Sequence, residues 1–289
     1  MIAPRILTAT VEGGRLAAHE PEAPPVPWWS LTKAALAAAA LALVDRSRLA
    51  LDDPLDAGRF SLRQLLQHTA GVPEYGGLAA YHEAVRRGET PWSVDELLRR
   101  VEADRLVFPP GQGWAYSNVG YLRVRRLIEA TMDTTLDEAL RTLVFEPLGV
   151  PGIRIAHEPG DLDGTAWGNR ARYHPGWVYH GLAVGTAADA ALFVHRLLAG
   201  PFLSPPLAEA MRQPYPLGGP IEGRPWRTAG YGLGLMVDVD SPRGLAMGHS
   251  GQGPGSVSAA YHFPGLARTV SAFAAVEDQG VVERAVLEG

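Results

Sequence analysis

Apolar and polar positions change their spacing several times along this chain, and each change marks an element. Ile6 to Val11 and Leu16 to His19 flank Glu12-Gly13-Gly14, which predicts a hairpin. Pro21 to Pro27 is too rich in proline for regular helix or central strand. From Ser30 the text becomes SLTKAALAAAALALV, strongly helix-forming and apolar nearly all round, the mark of a buried helix. A short helix is predicted over Ser61 to His68 and an amphipathic one over Val94 to Asp104. Two more run from Val119 to about Met132 and from Leu136 to Phe145. Residues 151–181 carry glycine, proline and aromatics with little periodicity. Thr186, with Asp189 three residues on, opens a helix to Leu198 in capping-box fashion. The texture then turns to strands: Tyr231 to Asp240, Leu245 to Ser250, Ser256 to Phe263 and Thr269 to Val276, followed by a helical stretch from Val281 to Leu287. Strands at both ends with helices between predict an α+β fold, one antiparallel sheet built from both termini with a helical region inserted.

Composition narrows the function. The 289 residues are 46% hydrophobic and 20% charged, enough to bury a sizeable core. A net charge of −5 argues against a nucleic-acid surface. With no cysteine, disulfides, thiolate zinc sites and a cysteine nucleophile are excluded. No H-E-x-x-H pattern stands among the nine histidines, so neither metal nor other cofactor is expected. The longest apolar run, Ala34 to Val44, is too short to span a bilayer. The N-terminal text lacks the order of a signal peptide, so a cytoplasmic protein without membrane or nucleic-acid partners is expected.

One imbalance points to chemistry. Lysine and arginine total 26, and Lys33 is the only lysine. Arginine stays protonated, whereas burial can push a lysine toward neutrality. Lys33 follows Ser30 by three residues on the apolar helix, so the two share a face. A serine hydroxyl is a poor nucleophile until a base takes its proton. Lowering a lysine from about 10.4 to near 7 takes roughly 4 kcal/mol, which burial among alanines and leucines can supply. Read alone, Ser30 is equally a helix cap and Lys33 a side chain that snorkels to water. Two further stretches carry polar groups at element ends: Trp114-Ala115-Tyr116-Ser117-Asn118 before a helix, and Gly248-His249-Ser250-Gly251-Gln252-Gly253 between strands. Each alone also reads plainly, the first as a helix cap and the second as a glycine-rich turn.

Together, S-x-x-K, Y-x-N and H-x-G in that order resemble the penicillin-recognising serine hydrolases. The segments Phe60 to Pro73 (FSLRQLLQHTAGVP) and Phe108 to Tyr121 (FPPGQGWAYSNVGY) strengthen the likeness, which spans about residues 28 to 276 and is nearest the class C β-lactamase-like branch. That branch includes esterases and D-amino-acid peptidases. The resemblance implies a β-lactamase/transpeptidase-like fold: an α/β domain of residues 1–58 and 182–289, a helical subdomain of 59–181, and an active site between them. It implies Ser30 as the acylated nucleophile, Lys33 as its base and Tyr116 as proton shuttle, either as phenolate or through Lys33. Asn118 would hold Lys33 and the substrate, and His249 replaces the lysine of the K-T-G motif. Ser250, Gly251 and Gln252 would line the substrate and oxyanion site, with the backbone N–H groups of Ser30 and Gln252 as oxyanion donors. A small-molecule ester, amide or lactam is the implied substrate, with an ester favoured. Acyl transfer, β-lactam or D-amino-acid peptide cleavage, and a binding protein without catalysis are the alternatives.

Gly248-His249-Ser250-Gly251-Gln252 also comes one glycine short of G-x-S-x-G, the elbow of α/β-hydrolases, though its antiparallel surroundings are wrong for one. The two serines separate in one measurement. Ser30→Ala is expected to abolish turnover of a p-nitrophenyl acyl ester, and retained activity with a dead Ser250→Ala would favour the elbow.

Overall fold

The computed structural model describes residues 4–169 and 172–289. An eight-stranded antiparallel sheet forms its centre. The N-terminal hairpin, Ile6–Glu12 with Arg15–His19, pairs with the last strand, Arg268–Ala274, from Ile6 opposite Ala274 to Glu12 opposite Arg268. Beyond it follow Ser256–Phe263, Gly244–Gly253, Met236–Ser241, Ala229–Tyr231 and Tyr215–Gly218.

Strand parity divides what lies on the two faces. Val257, Ala259, Tyr261 and Phe263 pack with Val270 and Ala272 against Val282 and Val286 of the C-terminal helix, Gln279–Leu287. The alternate residues Ala260 and Phe273 join the larger core on the opposite face. There the helix Ala187–Ala199 packs over the sheet, its Thr186 capping box formed as expected. That core continues without a break through the buried helix Thr32–Asp45 into the helices Leu62–Leu66 and Asn118–Met132.

The buried helix occupies the centre because, Thr32 and Lys33 apart, its buried side chains are alanine and leucine. Every residue from Thr32 to Leu43 is buried, Lys33 included. Its alanines permit close approach. Gly234 turns in the left-handed region, and a Cβ there would come within 2.3 Å of the Ala37 Cβ.

The elements differ from their predicted forms in a few places. Ser30 does not cap the buried helix. It sits in a single 3-10 turn, Trp29–Leu31, that feeds it. The amphipathic helix stops at Arg100 rather than Asp104, because Glu102 takes a positive φ. Leu136–Leu140 passes into a π-turn over Arg141–Phe145. The predicted strand from Tyr231 to Asp240 is two strands, folded back through Gly232 to Leu235, where the Gly232 N–H donates to the Leu235 carbonyl at 2.8 Å. Helices Ala79–Arg86 and Pro205–Arg212 had no predicted counterpart. Among the described residues, no helix is long and apolar enough to cross a membrane.

The alanine contact makes a stability prediction. Ala37→Leu must push its extra carbons into the backbone of Gly234, so overpacking should cost roughly 1–3 kcal/mol, read as a lowered denaturant midpoint.

Candidate active site

The turn that carries Ser30 is bolted to the sheet. The Trp28 N–H donates to the Ala183 carbonyl at 2.8 Å, and its carbonyl accepts from the Ser258 hydroxyl at 2.8 Å. Trp29 adopts a φ of 49°, a left-handed backbone that bulky residues avoid. Its surroundings hold it there. The indole N–H donates to Ser256 Oγ at 2.9 Å, and the ring lies so close over Gly253 that a Cβ there would approach within 2.3 Å. Such strain persists only where neighbours over-determine it.

Lys33 lies one turn beyond Ser30, fully buried. Its Nζ stands 3.1 Å from Ser30 Oγ, 2.7 Å from Asn118 Oδ1 and 3.2 Å from His180 Nε2. Burial lowers its pKa to about 7, against the opposing pull of the Glu74 carboxylate. The side chain therefore holds a substantial neutral fraction near neutral pH and can accept a proton.

The second motif shows how one capping residue places two others. Ser117 caps the helix Asn118–Met132, its Oγ accepting from the Gly120 N–H at 2.9 Å and donating to the Pro73 carbonyl at 2.9 Å. The plain reading thus holds for Ser117. On either side of it stand Tyr116 and Asn118. The Tyr116 hydroxyl donates to Ser30 Oγ at 2.8 Å. Burial raises its pKa well above the usual tyrosine value, so Tyr116 is a phenol that donates, not a phenolate. His68 packs on it at 4.5 Å between ring centres and accepts the Ser117 N–H at 3.1 Å. Asn118 is gripped by Glu74, which accepts its backbone N–H and, at 2.9 Å, its Nδ2.

Parity splits the third motif. His249 and Gly251 face the buried helix, and a Cβ on Gly251 would meet the Ser30 backbone nitrogen at 2.6 Å. Ser250 points to the opposite face, where its Oγ bonds Tyr261 and the fully buried Glu283. Ser250 still lines the larger cavity beside Ser30, with its hydroxyl bonded to Tyr261 and to Glu283 of the C-terminal helix. The same bonds leave it without a histidine partner among the described residues. The His249 Nδ1–H donates to the Ser250 carbonyl, so Nε2 accepts from the Tyr231 hydroxyl at 2.9 Å. Burial, helped by the Lys33 charge, pushes His249 down to about 3, so it stays neutral. The Gln252 side chain turns away, donating to the Glu277 carbonyl at 2.6 Å.

Two cavities meet at Ser30, Asn118 and Gln252. One, of about 630 Å³, is lined by Trp114, Leu217, Trp226, Tyr231, Met236 and Arg224. The other, of about 490 Å³, is lined by Trp29, Tyr75, Tyr81, Tyr173, Val178 and His180. Arg224 is paired bidentately with Glu283, so its charge is already answered. Glu74, His180, Tyr231 and Glu283 escaped the sequence reading. Only Glu74 had a signal there, an acid directly after the quoted turn ending at Pro73.

A family model described as Beta-lactamase matches residues 13–282. A penicillin-binding protein of Bacillus subtilis (strain 168) is 24% identical over 90% of this chain and 62% of its own length. Esterase EstB of Burkholderia gladioli is 30% identical over 42% of this chain and 36% of its own length. The chain thus spans less than two thirds of the curated relatives it matches. Among solved structures, the D-amino acid amidase of Ochrobactrum anthropi SV3 superposes with a TM-score of 0.79 at 21% identity, covering 93% of this chain and 88% of that one.

The lysine's environment sets a pH dependence. Below about 7 the ammonium cannot take the serine proton, so kcat/KM for an ester should fall with acid and level off above that point. Removing the Glu74 charge by Glu74→Gln withdraws what holds the lysine up, and the acid limb should move to lower pH. Lys33→Arg keeps the charge without the base, and its loss should be roughly 10²–10⁴-fold with the fold intact. A near-normal arginine enzyme would reduce the lysine to a bare cation.

Proposed function

The chain belongs to the beta-lactamase family, and on that premise we propose that it is a serine hydrolase that passes through an acyl-enzyme on Ser30. The observation that carries this reading is the hydrogen-bonded set of Ser30, Lys33, Tyr116 and Asn118, with a lysine whose pKa is lowered to about 7. Ser30 Oγ bonds to the substrate carbonyl carbon while its proton passes to Lys33. Carbonyl oxygen charge is met by the backbone N–H groups of Ser30 and Gln252, a pair in which one donor is typically worth about 10²–10³ in rate. As the bond to the leaving group breaks, Tyr116 gives that group its proton and is reprotonated from Lys33. Water then cleaves the acyl-enzyme by the reverse relay, and Ser30 and Lys33 return to their starting states.

The substrate we propose is a small neutral ester or amide with an apolar acyl part, an ester being preferred. Support comes from charge. His249 stands neutral where the resemblance would put a lysine, and its Nε2 is taken up by Tyr231. Arg224 on the cavity wall is matched by Glu283. Neither offers a free cation to a substrate carboxylate, while Trp114, Trp226 and Met236 offer apolar surface. The ester-cleaving relative is consistent with this, and the amidase neighbour keeps amides within the class.

Intact-mass spectrometry after incubation with an activated ester, an amide and a β-lactam reports whether Ser30 is acylated and for how long. In steady state, kcat/KM for a p-nitrophenyl butyrate-type ester should exceed that for a chromogenic cephalosporin. A cephalosporin better by an order of magnitude would overturn the ester preference and make the chain a working β-lactamase.

A further inference from the structure

A neutral lysine amine has two N–H donors and one lone pair, and Lys33 has three polar neighbours. Which neighbour receives the lone pair decides whether the amine can act on Ser30. Asn118 is the simplest to assign. Its Nδ2 donates to Glu74, which fixes the amide the other way round, so Oδ1 can only accept and takes one lysine N–H at 2.7 Å.

His180 comes next. It is fully buried, and burial together with the Lys33 charge holds its pKa well below the usual histidine value, so the ring is neutral with one acceptor nitrogen. Its Nε2 lies 3.2 Å from Lys33 Nζ. While Lys33 is an ammonium it has no lone pair, so Nε2 accepts and the ring proton sits on Nδ1, which is buried without a hydrogen-bond partner among the described residues; the Lys33 contact is therefore what selects this tautomer. When the lysine loses its proton, that tautomer still takes the second N–H. Ser30 Oγ, already accepting from Tyr116 at 2.8 Å, is then the remaining neighbour, and its own proton faces the lysine lone pair.

We propose that His180 is a positioning residue for acylation: by accepting one Lys33 N–H it aims the lysine lone pair at the Ser30 hydroxyl. With the opposite tautomer the ring would donate to that lone pair and silence the base. This inference rests on the acyl-enzyme reading above. It adds to that reading a residue from an aperiodic stretch that touches neither nucleophile nor carbonyl.

The test is the rate of Ser30 acylation by an activated ester, followed by intact mass, in wild type and three variants. His180→Gln can set its amide oxygen near the place of Nε2. His180→Asn is polar but too short to reach it, and His180→Leu is apolar. Leu and Asn are expected to acylate roughly 10- to 100-fold more slowly, the scale of loss that about 1 Å of misplacement brings. Their KM should stay near wild type, and Gln should recover most of the rate. Equal rates in all four proteins overturn the role of His180, as does a Gln variant no faster than a folded Asn variant. Should Leu fail to fold by near-ultraviolet circular dichroism, the Gln and Asn pair decides. If wild-type Ser30 takes up no acyl group, the acyl-enzyme reading fails, and this one falls with it.

Discussion

The one interaction on which the rest depends is the burial of Lys33. A fully buried lysine amine on an alanine helix is unfavourable as a cation, and among the described residues no carboxylate touches it directly to offset that. Glu74 acts on it at one remove, through Asn118, close enough to raise its pKa and too far to neutralise it as an ion pair would. Its pKa is thereby held at about 7, as the proposed role of base requires. A directly paired lysine would have stayed an ammonium and could not fill that proposed role.

Much of the surrounding architecture follows from keeping that amine dry. The helix is alanine-rich because the Gly232 to Leu235 turn passes within contact of it. Its preceding turn is held by bonds from Ser256, Ser258 and Ala183, which fix Ser30 over the strand Gly244–Gly253. The cluster of His68, Tyr116, Tyr121 and Tyr231 packs rings around the lysine: His68 Nδ1 and the Tyr121 hydroxyl bond the backbone, while the Tyr116 and Tyr231 hydroxyls bond Ser30 and His249. Burial also keeps these tyrosines and His68 neutral, so the Lys33 amine is the group beside Ser30 whose charge changes near neutral pH.

What could be read from the sequence was whatever depends on local spacing. The three-residue step from Ser30 to Lys33, the cap at Ser117 and the alternation of the late strands all survive translation into three dimensions. The orientation of Ser250 was within reach too, since alternation puts it opposite His249, but reading the motif as one unit hid that. Glu74 and His180 lay beyond reach for another reason. They touch the site through contacts 44 and 147 residues apart in sequence, and no periodicity marks them. The helices Ala79–Arg86 and Pro205–Arg212 are amphipathic but only eight residues long, so each shows its apolar face for barely two turns.

The pairing of Ile6–Glu12 with Arg268–Ala274 has a consequence in time. A chain made at about 5–20 residues per second leaves its N-terminal hairpin without a neighbour strand for on the order of ten to fifty seconds. Through the same interval the alanine helix has no sheet to lie against, because the strands it needs are made late. The helix can meanwhile pack on Asn118–Met132 and Arg141–Phe145, but the strands Ala229–Tyr231 and Gly244–Gly253 that complete the surroundings of Lys33 come late. Folding of this kind, governed by contacts between distant parts of the chain, is slow.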